Sequence, residues 1–224
     1  LLDSKSVRAV ILRGEGKSFC AGLDFKSFMM GGAEVQEKLL HRPEGRAANL
    51  AQRVAWIWQE LPMPVIAAVH GTCIGGGVQI ALGADIRIVH PESKLAIREL
   101  HYGLIPDMSL TVTAPRVMRA DVVKELTFTA RFFSGAESED LGFATQLSDD
   151  PLETARELAQ AIAGRSPETV RAAKAMLNRA PSDDPFAALA LETELQRPLL
   201  GSPNQLEAVR AAMMKQTPTF KDPV

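Results

Sequence analysis

Apolar runs alternate with helical periodicity along the first part of the chain. Residues 7–14 (VRAVILRG) and 64–71 (PVIAAVHG) are β-branched apolar runs that end in glycine, a pattern typical of buried strands bounded by turns. A segment with helical spacing lies between these runs, with apolar residues at Leu50, Val54, Ile57 and Leu61. Pro62 ends this helix. Strands crossed by helices in this way predict an α/β fold.

Helical periodicity dominates the later part of the chain. After the glycines at 75–77, the sequence predicts one helix (GVQIALGAD) and two strands (IRIVH and KLAIRE). Further predicted helices are ADVVKELTFTA, PLETARELAQAIAG, PETVRAAKAMLNRA, LETELQRPLL and PNQLEAVRAAMMKQ. We therefore expect an α/β core over residues 1–165, followed by a helical region over residues 166–224. Because a strand begins almost at Leu1, we also expect that the first strands of the core are missing.

Composition and charge exclude several classes of function. Lys and Arg number 25 against 27 Asp and Glu, with no basic block, which argues against a nucleic-acid partner. The uncharged stretch 61–84 is long enough to cross a bilayer, but it contains His70, Gln79 and the glycines, so we predict a buried strand, turn and helix and no membrane contact. Neither Cys20 and Cys73 nor the scattered histidines have metal-ligand spacing, which predicts a metal-free, cytoplasmic protein.

Two segments place small residues between a predicted strand and a predicted helix: VILRGEGKSFCAGLDFKSF and VIAAVHGTCIGGGVQIAL. A Walker loop is excluded, because the position five residues before Gly16 is Ile11, and the second segment lacks the glycine spacing of a dinucleotide loop. Small residues at a helix entrance let a ligand approach the unpaired N–H groups of the first turn. Close packing explains one of the glycines 75–77 better than all three, so we interpret them as a ligand-binding turn.

Three segments in order resemble the signatures of the crotonase superfamily, the enoyl-CoA hydratases and isomerases: SFCAGLDFKSF, PVIAAVHGTCIGGGVQIALGADIRI and ELHYGLIPDMSLT. The resemblance covers roughly residues 7–220. It implies a crotonase-like superhelix of repeated strand-strand-helix (ββα) turns and C-terminal helices that assemble a homotrimer or hexamer. It also implies an acyl-CoA thioester substrate of fatty acid metabolism, with coenzyme A as part of the substrate and no separate cofactor.

The resemblance also implies which residues contact the thioester. Its carbonyl oxygen would lie between the backbone N–H groups of Leu23 and Gly76, an oxyanion hole that stabilises the enolate formed by proton removal. Residues assigned to substrate binding are Ala21, Asp24, Lys26, Gly75 and Gln79, with Lys26 directed at the CoA phosphates. Residues 29–46, which contain glycine and charge, are expected to cover the acyl pocket as a loop.

The acid and base depart from the hydratase pattern. Hydratases of the superfamily carry a glutamate two residues after the triple glycine, where this chain has Gln79, and a second glutamate that matches Glu99. Because an amide cannot exchange a proton, the usual two-carboxylate hydration is disfavoured. Asp107 matches an aspartate of the dienoyl-CoA isomerases. Glu99 as base, with a pKa raised by apolar neighbours, and Asp107 as its partner would suit a double-bond shift.

The isomerase hypothesis has four alternatives. An enoyl-CoA hydratase (a lyase) and a non-catalytic acyl-CoA-binding homologue remain alternatives. The 4-chlorobenzoyl-CoA dehalogenases use an aspartate at the position of Asp107 as a nucleophile, but they carry a tryptophan at the position of Glu99. The related serine peptidases are disfavoured because no serine follows the glycines at a helix entrance.

Overall fold

The computed structural model describes residues 1–24, 30–179 and 184–223, and the elements given below belong to these residues. The strands are β1 (Val10–Arg13), β2 (Val65–Val69), β3 (Thr72–Ile74), β4 (Ile86–Val89), β5 (Lys94–Ala96), β6 (Phe133–Ser134) and β7 (Gln146–Leu147). The α-helices are α1 (Gly32–Leu40), α2 (Leu50–Glu60), α3 (Gly76–Gly83), α4 (Leu110–Thr113), α5 (Ala120–Thr129), α6 (Gly135–Asp140), α7 (Pro151–Ala163), α8 (Pro167–Arg179), α9 (Pro185–Gln196) and α10 (Pro203–Met214). Short 3-10 helices span Glu99–Tyr102 and Ala114–Arg116.

The strands form two sheets, and the chain passes repeatedly from one sheet to the other. The first sheet has the order β1-β2-β4-β7, and β4 pairs in parallel with both β2 and β7. The second has the order β3-β5-β6, with β3 parallel and β6 antiparallel to β5. The chain runs through β2 of the first sheet, β3 of the second sheet and then helix α3. Strands β4 and β5 repeat this pair of one strand from each sheet. The predicted α/β fold is confirmed.

The central strands of the first sheet do not alternate between apolar and polar residues. All five residues of β2 are buried, because a strand covered on both faces has no solvated side. Strand β4 contains Arg87, which is also buried. Its guanidinium donates to the carbonyl oxygens of Phe143 (2.7 Å) and Ala84 (2.8 Å), and burial lowers its pKa to about 10. Arg87 therefore stays protonated at neutral pH, and its hydrogen bonds offset the loss of hydration.

Contacts within the chain divide it into two compact units: Leu1–Ile11, Glu60–Val65 and Arg156–Val224 in one, and Leu12–Gln59 and Ile66–Ala155 in the other. In the first unit, Lys174 Nζ donates to the carbonyl oxygen of Met63 (3.0 Å) and Arg171 donates to that of Ser4 (2.8 Å). These bonds attach α8 to the segment before β2 and to the first residues of the chain. The boundary between residues 165 and 166 stays a prediction.

Four helices differ from the sequence prediction, and two of them, α4 and α6, were not predicted at all. Helix α1 lies inside the segment 29–46, which was expected to be a loop. Helix α9 begins six residues before the predicted segment LETELQRPLL. The carboxylate of Asp184 accepts hydrogen bonds from the N–H groups of Phe186 and Ala187, and Pro185 occupies the first turn, so a complete start signal is present there.

The uncharged stretch 61–84 folds as predicted, into β2, β3 and α3. Across the described residues, no helix has the length and apolar character needed to cross a membrane.

Candidate active site

The topology of the second sheet brings the two small-residue turns side by side. Cys20 forms a parallel bridge with Cys73 of β3, and Cys73 is in register with Leu95 of β5. Three adjacent parallel segments therefore run in the same direction at this point. Leu23 follows Cys20 by three residues, and Gly76 follows Cys73 by the same number. Both turns leave the sheet at the same edge.

The third of these segments carries Glu99 to that edge. Strand β5 ends at Ala96, and its carbonyl oxygen accepts a hydrogen bond from the N–H of Gly75 (2.8 Å). The chain then enters the 3-10 helix Glu99–Tyr102. A backbone hydrogen bond thus connects the glycine turn to the strand that precedes Glu99.

Each of the three consecutive glycines has a close neighbour. Gly75 has φ of 57°, and a Cβ there would lie 3.3 Å from Glu99 Oε1. A Cβ on Gly76 would lie 2.9 Å from Met108 Sδ, and one on Gly77 would lie 2.8 Å from Cys20 Cβ. Packing of one turn on the other accounts for Gly77, whereas Gly75 and Gly76 face the side chains of Glu99 and Met108 and line the cavity. The interpretation of these glycines as a ligand-binding turn stays a prediction.

A cavity of about 640 Å³ opens at this edge, within the compact unit that contains both turns. One part of its wall is backbone and small residues of the turns, at 20–23 and 74–76. A second part is apolar and comes from Leu39, Leu40, Ala51, Val54, Ile80, Leu104 and Ile105. The remaining lining side chains are Arg98, Glu99, Tyr102, Asp107 and Met108. The cavity therefore combines a long apolar wall with two carboxylates.

The backbone N–H groups of Leu23 and Gly76, two of the residues that line the cavity, have no protein acceptor among the described residues. Gly76 is the first residue of α3, where an N–H has no partner within the helix. Both groups are therefore available to donate to an oxygen in the cavity.

The two oxygens of Glu99 have different surroundings. Oε1 accepts a hydrogen bond from Gln79 Nε2 (2.7 Å). Oε2 is buried and has no hydrogen-bond partner in the described part of the chain. Burial is the main cause that raises the pKa of Glu99, and the nearby charge of Asp107 raises it further, while hydrogen bonds from Gln79 and the backbone act in the opposite direction. Because burial destabilises the ionised form of Glu99, its carboxylate takes up a proton more readily than that of an exposed glutamate.

A family model described as enoyl-CoA hydratase/isomerase matches residues 1–223. The chain belongs to the enoyl-CoA hydratase/isomerase family. An enoyl-CoA isomerase/hydratase of Mycosarcoma maydis is 33% identical over 222 residues, 97% of this chain and 78% of that protein. A peroxisomal Δ(3,5)-Δ(2,4)-dienoyl-CoA isomerase of Arabidopsis thaliana is 31% identical over 228 residues, 97% and 81% of the two chains. The crystal structure of an enoyl-CoA hydratase from Bacillus anthracis superimposes with a TM-score of 0.89 at 29% identity, covering 98% of this chain and 83% of that one. The crotonase-like fold is thereby confirmed.

The structure of this family member brings most of the predicted site residues to one cavity. Leu23, Gly76, Glu99 and Asp107 all line it, as do Ala21 and Gly75. Asp107 and Leu23 are exposed there, whereas Glu99 is half-buried.

Two predicted substrate contacts, Asp24 and Gln79, are not part of this lining, and a third lies outside the described residues. Asp24 is exposed and is not part of the lining formed by the described residues. Lys26 lies outside the described residues. Gln79 is fully buried behind the cavity wall: its Nε2 donates to Glu99, and its Oε1 accepts from the N–H of Met108 (2.8 Å).

Sequence reasoning did not identify Arg98 and Tyr102 as residues that line the cavity. Tyr102 stands three residues after Glu99 in a 3-10 helix, where side chains three residues apart eclipse one another. Arg98 donates to the carbonyl oxygen of Ala130 (2.6 Å) and stacks over Phe132, 4.7 Å from the ring centroid. Its position beside Glu99 in the sequence was the available signal.

No group of three or more His, Cys, Asp or Glu side chains that could hold a metal ion occurs within residues 1–24, 30–179 and 184–223.

Proposed function

We propose that this protein is a double-bond isomerase acting on an unsaturated acyl-CoA thioester. The observation that carries the proposal is the pairing of Glu99 with an amide: the polar group bound to this carboxyl is Gln79, which cannot give or take a proton. The cavity offers a second proton carrier in Asp107. A site with two carboxylates that act on the acyl chain suits proton removal at one carbon and proton return at another.

The reaction begins with the thioester oxygen between the N–H groups of Leu23 and Gly76. Oε2 of Glu99 removes the proton from the carbon next to the thioester, and the electron pair of that C–H bond moves toward the carbonyl as an enolate. The two N–H groups stabilise the negative charge on the oxygen. As the enolate collapses, the double bond shifts along the chain and the far carbon takes a proton from Asp107. Asp107, which holds a proton when the reaction begins, takes one back from solvent as Glu99 releases its own, so atoms and charge balance and both carboxyls return to their starting states.

The cavity wall supports a hydrocarbon acyl chain as the substrate class. Side chains of α1 and α2 contribute apolar surface through Leu39, Leu40, Ala51 and Val54. The guanidinium of Arg98 is held by a carbonyl oxygen and an aromatic ring, which makes it a weaker partner for a second carboxylate on the substrate. Assembly as a homotrimer or hexamer and a cytoplasmic location stay predictions.

The decisive experiment compares three substrates: a 3-enoyl-CoA, a 3,5-dienoyl-CoA and crotonyl-CoA. Chromatography of the products distinguishes a shifted double bond from a hydroxyacyl-CoA. We expect conjugated products from the first two substrates and slow hydration of the third. Glu99→Gln should lower kcat about 10²- to 10⁴-fold, since the proton can no longer be removed by this group.

Two results would replace the proposal. Dominant hydration that survives Asp107→Asn would identify a hydratase. Thermal stabilisation by acyl-CoA esters without turnover of any of the three substrates would identify a binding protein.

The pH dependence follows from the surroundings of Glu99. Because burial raises the pKa of this carboxyl, the base is protonated and inactive at low pH and becomes active only as the pH rises through the raised value. The rising limb of kcat/KM for isomerisation should therefore have a midpoint above the ordinary glutamate pKa of about 4.3. A midpoint at or below that value would exclude Glu99 as the base.

A further inference from the structure

Gln79 makes two hydrogen bonds that fix the direction of its amide. The backbone N–H of Met108 is a donor only, so the atom facing it at 2.8 Å is the amide oxygen. The amide nitrogen therefore faces Glu99 Oε1 at 2.7 Å, and it has no capacity to accept a proton. Gln79 is itself fully buried, so neither atom can exchange its partner for water without a rearrangement of the core.

This arrangement gives the two oxygens of Glu99 different properties. While the amide donates to Oε1, that oxygen is an acceptor and cannot carry a proton of its own toward Gln79. An unprotonated carboxyl oxygen accepts an N–H more strongly than a protonated one, so the proton that Glu99 gains during catalysis is favoured on Oε2, the buried oxygen without a partner. The amide thus selects which oxygen acts as the base and holds the carboxyl plane in place.

The same residue connects the base to the other parts of the site. Gln79 lies one turn after Gly76 on α3, and residues three apart in a helix share a face. Met108, whose backbone N–H donates to the amide oxygen of Gln79, immediately follows Asp107. A single buried side chain therefore joins the helix that begins with the oxyanion donor, the base Glu99 and the segment that carries Asp107.

We propose that Gln79 is a positioning residue that confines the proton of Glu99 to Oε2 and sets the carboxyl orientation for proton removal. This rests on the proposed function only in taking Glu99 as the base. Other titratable side chains that share the cavity with Glu99, in the part of the chain described, are Cys20, Arg98, Tyr102 and Asp107.

The test uses Gln79→Met, which keeps the length of the side chain and removes both hydrogen bonds. Loss of the donor destabilises the ionised carboxyl, and a hydrogen bond to a charged group is strong enough to move the rising limb of kcat/KM upward by about one pH unit. At a pH below the limb, kcat/KM should fall about tenfold, and part of this loss should persist in kcat at high pH because the ionised carboxyl is no longer held in position, while KM for the acyl-CoA stays within about twofold. Ser138→Ala is the matched control, because it removes a buried hydrogen bond, from Ser138 Oγ to the carbonyl of Gly135, away from the cavity.

A direct measurement separates failure of this proposal from failure of the isomerase proposal. The carboxyl ¹³C chemical shift of Glu99, assigned by its disappearance in Glu99→Gln, reports the pKa of this group without any turnover. A higher pKa in Gln79→Met supports the positioning role even if the protein proves to be a hydratase. An unchanged pKa, or a kcat at high pH equal to that of the wild type, would overturn it.

Gln79→Glu provides a second variant if the methionine substitution prevents folding. It keeps the shape of the side chain but places a second carboxyl against Oε1, so that the pair shares a proton and titrates in two steps. We expect the single rising limb of the wild type to split into two. A single limb at the wild-type midpoint would contradict the positioning role as firmly as an unchanged pKa.

Discussion

The two turns that supply the N–H donors are built in different ways. In the second turn, Gly75 and Gly77 are buried, and each glycine of 75–77 is in close contact with a neighbouring side chain. In the first turn, the side chain of Leu23 is 46% exposed, and the firm attachment is the bridge between Cys20 and Cys73. Close contacts at Gly75 and Gly77 fix the second turn on the side away from the cavity, whereas the first turn depends on its pairing with the second. Damage to the second turn should therefore displace both donors.

The largest effect is expected for Gly77→Ala. A Cβ at this position would lie 2.8 Å from Cys20 Cβ and 2.9 Å from the carbonyl oxygen of Cys20, so the two turns must separate. We expect kcat to fall about 10²- to 10³-fold, as for loss of an oxyanion-hole donor, together with a lower Tm. Steady-state kinetics and thermal unfolding measure the two quantities.

Gly76→Ala is the matched control for this substitution. Its Cβ would meet the sulfur of Met108, the flexible end of a side chain that can move aside. An equal or greater loss in Gly76→Ala would show that steric separation of the turns is not the cause.

An intermediate effect is expected for Gly22→Ala in the first turn. Gly22 has φ of 96°, a region that L-residues rarely adopt, and a Cβ would lie 3.1 Å from the carbonyl oxygen of Ile74. The strain would displace the N–H of Leu23 alone, so kcat should fall about tenfold, a loss of the size expected for one weakened hydrogen bond. A loss as large as that of Gly77→Ala would mean that the two turns are equally constrained.

The smallest effect is expected for Leu23→Ala. The side chain is half exposed, and the proposed contribution of this residue is its backbone N–H, which the substitution retains. We expect kcat within about threefold of the wild type and a change mainly in KM, because part of the cavity wall is removed. A fall in kcat of a hundredfold would place the function of Leu23 in its side chain.

The fold could be predicted from the sequence where a segment is uniformly apolar. The prediction failed where a buried polar side chain is stabilised by hydrogen bonds to other parts of the chain. The continuous apolar run 64–71 contains β2, and the prolines at 151 and 167 begin α7 and α8. By contrast, the burial of Arg87 depends on carbonyl oxygens that come from distant and neighbouring residues. Such compensation is invisible to a local pattern.

The site shows the same limit. Family motifs located Leu23, Gly76, Glu99 and Asp107 because each lies in a recognisable segment, and all four line one cavity. They could not reveal the environment of Gln79, since its two partners are 20 and 29 residues away in sequence. The segment 29–46 was expected at the acyl pocket, and Leu39 and Leu40 of α1 do line the cavity. The contribution of α2 was inaccessible, because ordinary aliphatic residues carry no functional signature.

The unpaired oxygen of Glu99 also has a pharmacological consequence. A buried acceptor without a donor leaves a hydrogen bond unmade, and a ligand that supplies the donor recovers that free energy on binding. A thioester analogue with an amide N–H in place of its reactive methylene would offer such a donor where the substrate has only a carbon. Inhibitors of this kind would gain affinity from a hydrogen bond to Glu99 Oε2, the oxygen to which Gln79 does not donate.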